Sequence, residues 1–506
     1  MLSCVRSASL SGSQVRPVLV ETHVSNGLPG FTVVGLPDAA CRESRDRVRA
    51  ALMSSGLKWP LKRVTVNLAP SGVRKVGAGL DLAIAVGLLA AVGELSQEQV
   101  GDFAFVGELG LDGSLRPVRA AISLAAAAGK QAVVLPVASA GEVSALPGVA
   151  LHCAPTLSAV VAALRGERDW ASVPPAVGKE GNEAESVPDL AQVKGQPLAR
   201  RALEIAAAGG HHLLLVGPSG SGKTMLGSCL ASLMPDLGPE QSIEVAKLHS
   251  LTGGDPPSTS PSRPPLRAPH HRMPLVSLVG GGSSGTRPGE VSLAHNGVLF
   301  LDELAEFPPA ALDALRQPLE DGSVTIARAG ERVRFPARFT LVATASPCPC
   351  GEGGTPGSCR CSAMSRSRYD NRLSGPLADR FDMRVSLERP RAEDLLESAS
   401  GEPTATVKAR VGRARSIAVA RGGCPNGLMT PEALGRLAPI TSAAALLAER
   451  RVRGGRLSAR GLHRAWRVAR TVADLDGAPV EIDELHMAEA LALDGSSKAL
   501  RGSAQW

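Results

Sequence analysis

The sequence predicts an α/β protein built in three parts, and three observations carry that prediction. Residues 1–168 alternate strand-like and helix-like segments. Residues 189–390 set short apolar runs between helical stretches, the pattern of a parallel sheet covered by helices. Residues 391–506 are rich in Ala, Leu and Arg at helical spacing with no convincing strand, which predicts a helical bundle. In the first part, 17–24 and 63–68 read as strands and 81–92 as a buried helix. Residues 169–188 turn Pro-, Gly- and Glu-rich without periodicity and read as a linker. In the second part the apolar runs 212–216, 297–301 and 339–343 are the expected strands.

A chain of 506 residues suits three units at the usual ~150 residues each. No apolar run approaches the ~20 residues needed to span a bilayer, so no membrane partner is expected. Residues 1–27 lack an apolar signal core and nine cysteines are too few for a disulfide scaffold, so the expected compartment is the cytoplasm. The net charge of +7 favours polyanions, while 3% aromatic content argues against base-stacking platforms.

The chemistry starts where the run 212–216 enters Gly217-Pro218-Ser219-Gly220-Ser221-Gly222-Lys223-Thr224, followed by a helical stretch. Strand, glycine-rich loop and helix in that order make a P-loop: backbone N–H groups and a helix N-terminus face phosphates, Lys223 reaches the β/γ oxygens, and Thr224 ligates Mg²⁺. About eighty residues on, the apolar run 297–301 ends in Asp302-Glu303. Two carboxylates at the end of a buried strand fit a hydrated Mg²⁺ on Asp302 and water activation by Glu303. ATP hydrolysis is the expected activity, with ATP and Mg²⁺ as cofactors.

Four stretches carry a resemblance: Arg201-Ala-Leu-Glu-Ile-Ala-Ala-Ala-Gly-Gly-His211, Arg267-Ala-Pro-His-His271, the segment from Pro288 through Asp302-Glu303, and Arg372-Leu-Ser-Gly-Pro-Leu-Ala-Asp-Arg-Phe381. Together they resemble the YifB/ComM family of magnesium-chelatase-like AAA+ ATPases over almost the whole chain. The resemblance implies a ring, a homo-hexamer, and by way of the family's competence protein a DNA helicase that drives branch migration, working with recombination proteins. It places an arginine finger at Arg380, reaching a neighbouring subunit's γ-phosphate, and a second sensor arginine at Arg460, bringing the helical lid onto the nucleotide. The family carries Asn where this chain has Ser346, ahead of Pro347-Cys348-Pro349-Cys350-Gly351. A serine is shorter and has one donor against two, so ATP binding should persist with slower hydrolysis. The first part resembles the Lon-protease fold in Val106-Gly-Glu-Leu-Gly-Leu-Asp-Gly113. The positions of the Ser nucleophile and Lys base read Gly77-Ala78-Gly79-Leu80-Asp81 and Ala121-Ile122-Ser123, so a non-proteolytic scaffold is expected.

Cys348, Cys350, Cys359 and Cys361 form two C-x-C pairs around a Gly-rich turn. A structural Zn²⁺ site, reduced thiols and a disulfide are all readings of this pattern. The runs 324–328 and 331–335 around Ala329-Gly330 read as a hairpin carrying Arg328, Arg332 and Arg334. In related AAA+ rings a hairpin here projects into the pore, where these arginines would grip a DNA backbone; a solvated face is the alternative. Residues 401–473 hold fourteen Lys and Arg against three acidic residues, a net +11 that suits phosphates or acidic neighbours in a ring. A motor acting on single-stranded or branched DNA is therefore the leading reading. A protein-remodelling ATPase and a magnesium-chelatase motor subunit are the alternatives, the latter disfavoured because related chelatase motors lack the first domain.

Overall fold

The computed structural model describes residues 1–11, 14–72, 75–129, 132–144, 146–173, 188–252, 262–282, 286–328, 331–353, 359–373, 377–391, 393–394, 401–477 and 480–494. Most of the segment read as a linker lies outside the described residues. Among those described, no helix is long and apolar enough to cross a membrane.

The first sheet has seven strands in the order Gly30–Val34, Arg63–Ala69, Gln14–Ser25, Leu2–Ser11, Phe103–Phe105, Ala132–Pro136, Leu151–Ala154. A long antiparallel hairpin, with Leu2 opposite His23, forms its centre, and parallel strands extend it towards the Leu151–Ala154 edge. The helix Asp81–Val92 is apolar on every side and almost wholly buried against it. Its first residue is the exception: Asp81 is fully buried, accepts from Ser44 Oγ at 2.6 Å, and takes Arg47 Nε and Nη2 at 2.6 and 3.0 Å. The loop 77–81, where the Lon-protease resemblance would place a serine nucleophile, thus ends in a structural ion pair. Removing one partner of a buried pair strands the other, so Asp81→Ala should cost about 3–5 kcal/mol, read as a lower urea midpoint at unchanged slope.

The second sheet has five strands in the order Leu266–Arg267, Val298–Leu301, Thr340–Ala345, Leu213–Val216, Met383–Ser386, all parallel. The three central strands are buried on both faces, which is why they read as unbroken apolar runs. Leu213–Val216, the first of these in the chain, lies between the last two. That reversal of strand order opens a crevice beyond the strand ends, where ligands of open α/β sheets bind.

The helices Thr404–Gly422, Ser442–Arg453, Ala459–Leu475 and Glu484–Leu493 build the third unit. It shares one apolar core with the second sheet and the helix Pro197–Gly209, including Leu203, Leu213, Val411, Val468 and Met487. Polar clamps secure the same seam: His211 Nε2 meets Thr471 Oγ1 at 2.7 Å, and Arg201 donates to Glu489 at 2.8 Å. The first unit meets the second at the helix Pro239–Ser250, where Ala246 packs among Ala121 and Leu124, and Arg119 donates to Leu251 O at 3.0 Å.

Candidate nucleotide site

The strand Leu213–Val216 delivers the loop 217–222 to the crevice, and the helix Lys223–Leu233 leaves from it. Gly222 takes φ +85° at the helix start, a conformation costly to any residue with a Cβ. Farther along, Gly227 lies so close to Phe300 that a Cβ would strike the ring, so this helix rests directly on the strand bearing Asp302. Lys223 Nζ folds back onto the carbonyls of Gly217 and Pro218 at 2.7 and 2.8 Å. Burial pulls its pKa below the usual ammonium range, against the opposing pull of Asp302 and Glu303.

Asp302 and Thr224 come together across the crevice, with Thr224 Oγ1 at 3.1 Å from Asp302 Oδ2. Two hard oxygen ligands side by side suit a Mg²⁺ ion. A residue that the sequence reading missed orders this carboxylate: Thr344 Oγ1 donates to Asp302 Oδ1 at 2.5 Å and accepts from the Glu303 backbone N–H at 2.9 Å. The strand register, which sets Leu301 opposite Ala343, would have paired Asp302 with Thr344. Glu303 itself is exposed and sits at φ +56°, an uncommon backbone for a non-glycine residue.

Ser346 follows the strand Thr340–Ala345, beside the loop, where Gly217 N–H donates to Ala345 O at 3.1 Å. Arg380 stands elsewhere. It ends the turn Ala378–Arg380 ahead of the strand Met383–Ser386, which pairs with the P-loop strand, so it lies at the N-terminal ends of the strands, away from the P-loop at their C-terminal ends, and it pairs with Glu320. Burial first, then the like charges of Arg460, Arg464 and Arg316, pull its guanidinium below the usual range. The charge of Arg460 thus reaches Arg380, and its helix Ala459–Leu475 docks on Pro197–Gly209.

The three families that match this chain tile it in the same order as the fold. "Subunit ChlI of Mg-chelatase" matches residues 20–139, "Magnesium chelatase, subunit ChlI" matches 189–395, and "Magnesium chelatase, subunit ChlI C-terminal" matches 401–493. Competence protein ComM of Haemophilus influenzae is 42% identical over 97% of this chain and 97% of its own length. The chain belongs to the magnesium-chelatase-like AAA+ ATPase family of ComM and YifB. YifB of Escherichia coli is 41% identical over 97% of this chain and 96% of its own length, and an uncharacterized protein of Mycobacterium tuberculosis is 44% identical over 93% and 94%. Membership in an AAA+ family implies nucleotide and Mg²⁺ use, and the crevice above has the groups for both.

Beyond the crevice, the strands Ser323–Arg328 and Glu331–Pro336 pair as an antiparallel hairpin. Val324, Val333 and Phe335 are buried, and Val333 and Phe335 pack with Leu248. Arg332 and Arg334 alternate with them, exposed and on one face. Arg328 pairs with position 331, out of phase with the other two, so the three arginines do not form one stripe; its side chain and the hairpin tip lie outside the described residues.

The +11 of the lid is less available than its count implies. Lys408 pairs with Asp236, Arg410 with Glu204 and Glu402, Arg421 and Arg470 with Asp474, Arg453 with Glu449, Arg464 with Asp494, and Arg415 donates to Ala207 O. Half of the fourteen cations hold the fold together. Charge counting located them but not their partners.

The four cysteines converge, with all sulfurs within 4.8 Å of one another, and no disulfide joins them. Sγ separations of 3.2, 3.7 and 3.8 Å link Cys348, Cys350 and Cys359. A tetrahedral ion with ~2.3 Å bonds to sulfur requires about 3.8 Å between ligands, so the donor set fits zinc. A backbone hydrogen bond from Glu352, then a contact with Cys348, draws Cys350 down to about 6, while burial pushes Cys348 up to about 12.

Proposed function

We propose that this chain is the subunit of a homo-hexameric ring that couples ATP hydrolysis to movement along single-stranded or branched DNA. The P-loop would bind ATP, with Lys223 on the phosphates and Thr224 and Asp302 holding Mg²⁺, which neutralises phosphate charge when bound. Glu303 would orient the attacking water, helped by Ser346 at the neighbouring strand end. Arg380, at the opposite end of the strands from the P-loop, would complete the site of the next subunit, which is the reason for a ring, and Arg460 would bring the helical lid onto the nucleotide. Zinc on the four thiolates would be structural.

The observation that carries the DNA reading is the exposed Arg332–Arg334 face of a hairpin whose other face is anchored in the core. The relative named as a competence protein is consistent with a role in DNA uptake, and recombination proteins are then the partners we propose. Protein remodelling is the second reading, favoured by the internal pairing of the lid arginines, which removes part of the expected polyanion surface.

Binding to single-stranded and forked DNA across a salt series tests this. Affinity should be indifferent to sequence and fall log–log with salt, at about 0.7–0.9 per neutralised phosphate. Replacing Arg328, Arg332 and Arg334 together should lower that slope by about two and remove DNA stimulation of ATPase, with basal ATPase retained. A parent that binds no DNA at low salt makes protein remodelling the better reading.

A further inference from the structure

The cysteine cluster and the residue beside the catalytic carboxylate belong to one local structure. Ser346 directly follows the strand Thr340–Ala345, two residues before Cys348, and Cys361 comes two residues before the helix Ala363–Leu373. That helix has a single buried residue, Tyr369, the sole tyrosine of the sequence. The backbone of Ser346 bears on the Tyr369 phenol and favours its ionised form. The same phenol is pushed up to about 12, by burial first and then by the charges of Glu306, Cys348 and Glu303. One turn on, Arg372 Nη1 donates to Ala305 O at 3.2 Å, fastening the helix to the turn Leu304–Glu306 that follows Glu303.

An eleven-residue helix is marginal by itself, and one buried aromatic stabilises it by only about 2 kcal/mol. Its position over Ser346 and Glu303 needs an anchor, and the anchor it has is the thiol cluster at its start. Two ligands come from the strand-end turn and two from the approach to the helix, so an ion bound by all four clamps these segments together.

We propose that one zinc ion bound by Cys348, Cys350, Cys359 and Cys361 holds Tyr369 against Ser346 and so sets the water-activating geometry beside Glu303. The inference rests on the ATPase reading above and adds a control to it. Tyr369 is a positioning residue: it touches the backbone of Ser346 and no reacting atom. Binding the ion releases the thiol protons and changes no oxidation state. Because the clamp lies at the water side of the site and Lys223 at the phosphate side, its loss should act on turnover and spare nucleotide affinity.

The purified full-length chain should contain one zinc per subunit, measured by elemental analysis. Dialysis against a strong chelator should lower kcat about tenfold while the Kd of a fluorescent ATP analogue moves less than twofold, and added zinc should restore kcat. Cys350→Ser with Cys359→Ser should abolish zinc binding and reproduce the lower kcat. Tyr369→Phe, which keeps the ring and all four thiols, should retain full zinc and still lose several-fold in kcat at unchanged Kd. Protein that neither contains zinc nor takes it up overturns the proposal, as does stripped protein with unchanged kcat, or Tyr369→Phe that turns over like the parent. Zinc-loaded parent that binds the analogue yet hydrolyses no ATP overturns the ATPase reading, and the coupling falls with it.

Discussion

Lys223→Ala should abolish nucleotide binding, whereas Glu303→Gln should bind ATP at least as well as the parent and turn it over at least 10²-fold more slowly. The two side chains face one crevice from opposite ends. The Lys223 ammonium lies on the loop carbonyls at 2.7 and 2.8 Å, within the loop that would cradle the phosphates. Without it the site loses its only full positive charge on the loop and its charge-assisted hydrogen bonds, each worth about 1.5–3 kcal/mol. Glu303 contributes negative charge next to that ammonium. Its removal therefore does not weaken phosphate binding, while the general base, worth about 10²–10⁴ in rate, is gone. A fluorescent ATP analogue and a phosphate-release assay separate the two effects, and equal loss of binding in both variants would refute the assigned roles.

Arg380→Ala should lower kcat by about 10³-fold or more, the usual contribution of an arginine finger, with nucleotide Kd nearly unchanged. The geometry explains the split: Arg380 lies at the N-terminal ends of the strands, away from its own P-loop at their C-terminal ends, and pairs there with Glu320. It cannot serve its own nucleotide, so specific activity should rise with protein concentration as rings form. Mixing Arg380→Ala with Lys223→Ala subunits should recover part of the activity, because some interfaces then join an intact loop to an intact finger. Mixed rings, confirmed by mass, that recover nothing would place the finger in cis and contradict the fold as described.

Much of this site was legible before any coordinates. The P-loop is local chemistry, and the strand bearing Asp302 is a run of four apolar residues buried on both faces, so each can be read from consecutive letters. What escaped the sequence depends on lateral neighbours. Thr344 orders Asp302 only because Leu301 stands opposite Ala343, and no spacing along the chain reveals a register between strands forty residues apart. The hairpin arginines were grouped by proximity, yet position 328 falls out of phase with 332 and 334. The lid arginines were counted as surface charge because their acids, Asp236, Glu204 and Glu402 among them, lie in or before other elements. Position in the chain also does not reveal that the charge of Arg460 reaches Arg380.

The helix Pro239–Ser250 joins two of these stories. One end of it, at Leu248 and the following Leu251, lies under the buried face of the hairpin, while Ala246 and the Ser250 carbonyl bear on the first unit, where Ala120 N–H reaches that carbonyl at 3.2 Å. The hairpin thus stands on a footing whose underside is the seven-stranded sheet. If the proposed ring moves a cargo, force on Arg332 and Arg334 would pass through Val333 and Phe335 into this helix and be resisted by the first unit, which would then serve as a foundation for a pulling element.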